Sequence, residues 1–217
     1  MPAPPLVFLD IDGVLLPFGE GAEEVESPRL FPDRCLAALS LILQEVPTAE
    51  LVLSSTWRVN AQDEIIQEFE RYAAEVDARS PLGSIHAFAR VTCLQTFGVR
   101  QHEIHKYLTS LPQMHAWVAL DDEPLLEGRE CAALRPLFED HCAQCESHEG
   151  LTLELATTAI ALLRRQMHPD PTGSSSTTTT TTRKNSQLSS KHDERSASAS
   201  SGDRRAAASR KRIRTLH

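Results

Sequence analysis

The 217-residue sequence predicts an α/β fold, a Rossmann-like three-layer sandwich around a central, mostly parallel sheet. Three observations predict it. Short apolar runs without polar alternation recur along the chain, as strands buried on both faces require. Amphipathic helical stretches alternate with those runs, the pattern of a parallel sheet covered on both sides. The apolar runs also stop at carboxylates and hydroxyls, and in such sheets functional groups gather beyond the carboxyl ends of the strands.

Leu6–Leu9 is the first apolar run, ending at Asp10, and Gly13 allows a tight turn just beyond it. Residues 17–32 are acidic and punctuated by Gly and Pro, a loop. Asp33–Val46 carries Cys35, Leu36, Leu39, Ile42, Leu43 and Val46 at helical spacing, with Asp33 placed to cap the helix. Leu51–Leu53 is a second strand, running into Ser54-Ser55-Thr56-Trp57-Arg58. Ala61–Val76 is a second amphipathic helix with Ile65, Phe69 and Tyr72 on one face. Arg90–Leu94 is the third candidate strand. Arg100–Leu111 reads as a helix, Ala116–Leu120 as a strand ending in Asp121-Asp122, and Leu125–Phe138 as irregular or helical. His141–Cys145 fits a last short strand. Thr152 caps a final helix to Gln166, whose Leu155, Ala156, Ala159, Ile160 and Leu163 form a buried stripe.

Composition divides the chain in two. Residues 1–167 hold 12 Lys/Arg against 26 Asp/Glu, net −14, whereas residues 168–217 hold 10 against 4, net +6. The acidic body excludes a domain that coats nucleic acid through its own basic face. Beyond Met167, Pro169 and Pro171 stop the helix, and a Ser/Thr tract follows with few large apolar side chains. Nothing there offsets the entropy of ordering, so 1–167 is expected as the folded domain and 168–217 as a disordered tail. Apolar runs such as Val14–Phe18 fall far short of the ~20 residues of a membrane span. The first residues lack the basic stretch of a secretory signal. Five cysteines, an odd number without small-scaffold spacing, fit a reduced intracellular compartment.

The chemistry concentrates in a few places. Asp10 and Asp12 flank one apolar residue at a strand end, and in an extended segment residues i and i+2 point to the same side. Asp121 and Asp122 end another strand, the hydroxyls of Ser54-Ser55-Thr56 end a third, and Arg100 opens a helix. If the strands are parallel neighbours, all four groups converge. Several carboxylates with oxygen ligands only suit Mg²⁺. Hydroxyls and a guanidinium beside such an ion make a phosphoryl cradle.

In that order, Asp10-Ile11-Asp12-Gly13-Val14-Leu15, Ser54-Ser55-Thr56-Trp57-Arg58, Arg100 and Leu120-Asp121-Asp122 resemble the four motifs of the haloacid dehalogenase-like (HAD) hydrolase superfamily. Within it, Leu53-Ser54-Ser55-Thr56-Trp57-Arg58 and Gly150-Leu151-Thr152 resemble the small HAD domain of "Swiss Army knife" RNA-repair proteins. The resemblance covers about residues 5–165. It implies a phosphatase with Asp10 as nucleophile, forming an aspartyl-phosphate, and Asp12 as general acid and then base. It further implies that Ser54 or Ser55 binds a phosphoryl oxygen, and that Mg²⁺ is held by Asp10, the backbone carbonyl of Asp12, and Asp121 with Asp122. The third motif of the superfamily is usually Lys. Arg100 holds that place, and Lys106 is the rival cation, about 9 Å further along the same helix. The competing possibility is a HAD-fold binding module without turnover.

Trp57 and Arg58 are candidate substrate contacts, the ring for a base and the guanidinium for a second phosphate; the alternative is that Trp57 packs under its loop and Arg58 balances nearby acids. Cys142 and Cys145 form a C-x-x-C flanked by His141 and His148, but in a strand the two thiols face opposite sides, which disfavours zinc. The spacing between motifs leaves no room for a large cap, so a capless or minimally capped enzyme is expected. A bulky phosphorylated substrate would then itself exclude water, either a nucleic-acid end or a phosphoprotein. The clusters Arg204-Arg205 and Arg210-Lys211-Arg212-Ile213-Arg214 suit acidic partners or nuclear import, which makes the expected location cytoplasmic or nuclear.

Overall fold

Strand β1, Leu6–Leu9, is buried along its whole length and pairs in parallel with strands on both sides. In a computed structural model that describes residues 3–22, 28–88, 90–93, 99–128 and 132–168, its neighbours are β2, Glu50–Leu53, and β3, Trp117–Asp121. A short β4, Cys142–Gln144, pairs in parallel with β3, giving the order β2-β1-β3-β4. The helices are α1 (Asp33–Glu45), α2 (Gln62–Glu75), α3 (Arg100–Ser110), the single turn α4 (Arg135–Phe138) and α5 (Leu153–Met167).

Strand alternation creates the layers. Val7 and Leu9 of β1, with Leu51, Leu53, Val118, Leu120 and Ala143, join the buried faces of α1, α2 and α5 in one core. Leu6 and Phe8, with Val52, Trp117 and Ala119, join Ile104 of α3 and Phe138 of α4 in a second core on the other face. Phe8 meets Tyr107 and Trp117 edge-on, with ring centroids 5.5 and 5.7 Å away. Burial of such a side chain stabilises by about 1.5–3 kcal/mol. The result is the three-layer α/β sandwich that the alternation predicts.

Two local expectations change. Asp33 is the first helical residue of α1 rather than its cap, because Pro32, extended at φ −61°, ψ 136°, takes the cap position. The Asp33 carboxylate instead pairs with Arg71 on α2 and Arg29 before the helix, at 2.9 and 2.8 Å. The described part of Arg90–Leu94 is not a strand. Only Val91 bridges to Leu53, through Leu53 N–H to Arg90 O and Thr92 N–H to Leu53 O, and Leu94 lies outside the described residues. Leu125–Phe138, expected irregular or helical, is so among the described residues, with one helical turn at its end. Thr152 does cap α5, its hydroxyl accepting from Leu155 N–H at 3.2 Å. The expected tail begins where α5 ends, and residues 169–217 lie outside the described residues.

β1 connects to β2 on one side, while β3 lies on its other side. This reversal opens a crevice beyond the carboxyl ends of β1 and β3, the place where open parallel sheets bind ligands. The segment between Arg58 and Arg100 supplies Ile65, Phe69, Tyr72 and Leu82 to the α1 core, so the described part of it is scaffold rather than a separate cap.

Candidate active site

Register builds the site. Leu9 is aligned with Leu53 on one side and with Leu120 on the other. The next residues, Asp10, Ser54 and Asp121, therefore stand in one row at the carboxyl edge. The ladder continues through them: Ser54 N–H donates to Leu9 O at 2.9 Å, Asp10 N–H to Leu120 O at 3.0 Å, and Cys145 N–H to Asp121 O at 2.9 Å.

Beyond Asp10 the chain turns sharply. The N–H groups of Val14, Leu15 and Leu16 all converge on Ile11 O, and Gly13 N–H returns to Leu16 O. Gly13 has φ +75°, and a Cβ there would lie 2.4 Å from Asp122 Cγ. Glycine thus satisfies both the left-handed backbone and the close approach of the Asp122 side chain. Asp122 is steadied from the other side by Ser147, whose hydroxyl donates to Oδ2 at 2.8 Å. Asp10, Asp121 and Asp122 each bring a carboxylate oxygen within 4.8 Å of the others.

Arg100 lies across two of these acids. Its Nη2 is 3.1 Å from Asp10 Oδ2 and its Nε is 2.8 Å from Asp121 Oδ2. The Nε–H does not point at Asp121 Oδ2, so the two are close opposite charges rather than hydrogen-bond partners. Burial works against the charged guanidinium, but the carboxylates of Asp121 and Asp10 outweigh it and raise the Arg100 pKa. Burial also raises the Asp121 pKa well above the ordinary carboxylate range; Arg100 opposes that shift and the Asp10 charge adds to it. Lys106, the rival cation, is exposed on α3.

The hydroxyls of Ser54 and Ser55 are both buried and both lack a hydrogen-bond partner. A buried hydroxyl without a partner is costly, and two in succession beside the acids form a vacant donor pair. Their loop is held from behind. Arg58 Nη1 donates to the carbonyls of Ser54 and Ser55 at 3.0 and 2.6 Å, and Nη2 to Glu103 Oε2 at 2.9 Å. Arg58 is therefore not placed as the substrate contact considered above: its side chain is 3% exposed and bonds inward. Trp57 is half-buried, tilted over Phe31, and its indole N–H donates to Asp12 Oδ1 at 3.2 Å. Asp12, whose side chain stands outside the group of three acids, is half-buried beside it.

Glu103 and Ser147 were not singled out in the sequence. Glu103 also accepts from Thr92 at 3.4 Å and lies 3.7 Å from Arg100 Nη1, which ties the arginines of two motifs together. Its signal was an acid three positions after Arg100 on a helix, where side chains meet. Ser147 lies two residues beyond Cys145 of the C-x-x-C. Cys145 faces the α1 core and Cys142 the α3 core, on opposite sides of the sheet, as strand alternation requires. Burial pushes the Cys142 thiol up to about 12, the shift of an inert structural cysteine.

A family model described as the HAD domain in Swiss Army Knife RNA repair proteins matches residues 6–156. The chain belongs to this family. The match begins at the first residue of β1 and ends in the first turn of α5, so it spans every residue of this HAD site. Membership points to a HAD-type phosphohydrolase-like function. Searches among curated proteins and solved structures gave no match. Among the described residues, no helix is long and apolar enough to cross a membrane.

Proposed function

We propose that this HAD domain is a Mg²⁺-dependent phosphomonoesterase working through an aspartyl-phosphate on Asp10. The observation that carries the reading is a carboxylate cluster at the carboxyl edge of the sheet, with Ser54 in the same row as Asp10 and Asp121, Ser55 next in the chain, and both serine hydroxyls buried and unpartnered. The donor set fits a hard divalent cation: it offers oxygen ligands only, and Asp121 Oδ2 is buried without an aligned donor. Asp10, Asp121 and Asp122, with the carbonyl of Asp12, would hold the ion. Bound there, it supplies positive charge that lets a carboxylate approach an anionic phosphate.

The chain's own groups divide the remaining work. Asp10 attacks phosphorus. Ser54 and Ser55 donate to phosphoryl oxygens, and Arg100 adds a fixed charge beside them. Asp12 gives a proton to the leaving oxygen and later takes one from water. The family description, RNA repair, and the absence of a cap among the described residues favour a phosphorylated nucleic-acid end as substrate. With a net charge of −14 over residues 1–167, the domain needs help in binding it, and the basic clusters Arg204-Arg205 and Arg210-Lys211-Arg212-Ile213-Arg214 supply it.

Release of inorganic phosphate from 4-nitrophenyl phosphate, then from phosphorylated RNA and DNA ends and phosphopeptides, each with Mg²⁺ and with EDTA, tests this directly. Asp10→Asn should lower turnover by at least ~10³-fold and leave a cooperative thermal melt. Activity surviving that change would contradict the assignment. The position of Arg100 favours a second reading, a binding module in which the guanidinium permanently occupies Asp10. Wild-type protein that binds phosphorylated ends but never releases phosphate would establish it.

A further inference from the structure

Trp57 makes a contact that packing alone does not require. Its ring is tilted against Phe31 with centroids 6.2 Å apart, a role that Phe would also fill, yet its Nε1–H is aimed at Asp12 Oδ1 at 3.2 Å. Indole nitrogen is a donor only, and its acceptor here is a carboxylate two residues beyond Asp10. The indole is itself fixed, because the neighbouring Arg58 locks the Ser54–Ser55 backbone from which the turn starts. An aspartate carboxyl rotates broadly about its last torsion, and proton transfer depends on its orientation.

We propose that Trp57 is a positioning residue that holds the Asp12 carboxyl at the angle from which it delivers and recovers its proton. The proposal rests on the phosphatase reading above. In the first step an Asp10 oxygen bonds to phosphorus while the ester P–O bond breaks, and the Asp12 proton passes to the departing oxygen. In the second, a water oxygen bonds to phosphorus and gives its proton to Asp12; the bond from phosphorus to Asp10 breaks, releasing phosphate and restoring the carboxylate. A carboxyl carries its proton on one oxygen and accepts at the other, and the indole N–H selects Oδ1 as the accepting oxygen. The tryptophan serves the general acid without touching the substrate.

Trp57→Phe keeps the ring and deletes the donor. The kcat/KM of wild type and variant, which reports only the steps through aspartyl-phosphate formation and leaves out the water-activating step common to all esters, is compared on 4-nitrophenyl phosphate, whose leaving oxygen departs unprotonated, and on an alkyl phosphate, whose leaving oxygen needs the proton. The variant should lose about tenfold or more on the alkyl ester and less than about twofold on the nitrophenyl ester. Equal losses on both, the pattern of a purely structural residue, overturn the positioning role alone. Wild-type protein inactive on both esters overturns the phosphatase reading and this role with it. Independently of activity, the Trp57 indole N–H resonance, recognised by its disappearance in Trp57→Phe, should move upfield in Asp12→Ala; an unmoved resonance also overturns the proposal.

Discussion

Arg100 decides how the acids behave when no metal is bound. Three carboxylates within 4.8 Å repel one another, and a guanidinium against Asp10 and Asp121 offsets part of that cost. A planar fork can span two acids where the compact ammonium of lysine could not do so in the same way. The consequence falls on Asp121, whose burial raises its pKa in the folded protein. Between the ordinary carboxylate pKa and the raised one, the folded state binds more protons than the unfolded state, so stability falls as pH rises. The urea midpoint of wild type in EDTA, taken relative to that of Asp121→Asn, should therefore fall as pH rises above the ordinary carboxylate pKa. The two proteins responding equally would show that Asp121 is not the source. At this scale the motif residues could be read from the sequence because their types announce their chemistry. The inward turn of Arg58 was open only as the alternative that it balances nearby acids, since only the folded turn shows the Ser54 and Ser55 carbonyls and Glu103 within its reach.

The loop after β1 is the element on which the site depends. Gly13 is held at φ +75°, with the Asp122 carboxyl filling the space a side chain would need. Gly13→Ala should destabilise the fold by at least ~1–2 kcal/mol through the left-handed backbone alone. It should also push Asp122 aside and lower phosphatase turnover about tenfold or more. Gly19→Ala is the control: φ is +99° there too, but its Cβ would meet nothing within 4 Å, so stability should fall while turnover holds. Urea denaturation and phosphate release on both variants check the pair. Strands β1 and β3 were legible as continuous apolar runs because both of their faces are buried. Arg90–Leu94 misled because its apolar residues, read without partners, look like a strand, whereas in the described fold Val91 reaches only the end of the edge strand β2. Asp33 misled because an acid is favourable both as a cap and in a first helical turn, and Pro32 settles the choice.

For the whole molecule, the order β2-β1-β3-β4 is the origin of the function proposed. Parallel pairing of β2 and β3 on the two sides of β1 places residues from positions 10, 54 and 121 in one row, a juxtaposition that sequence separation hides and strand register creates. The sequence could suggest that parallel neighbours would converge, but which strands are neighbours is a property of the sheet. A cation bound only by the folded state stabilises it by mass action. Mg²⁺ should accordingly raise the thermal midpoint of wild type and do so far less in Asp121→Asn, as read by scanning calorimetry. The most direct test of the shared-ion claim is a crystal structure of the protein grown with Mg²⁺ and beryllium fluoride, a mimic of the transferred phosphoryl group. The account predicts beryllium bonded to an Asp10 carboxylate oxygen, contacts from Ser54 or Ser55, and Mg²⁺ at about 2.1 Å from oxygens of Asp10 and Asp121. At saturating concentrations, an Asp10 still paired with Arg100, with neither group bound, would contradict it.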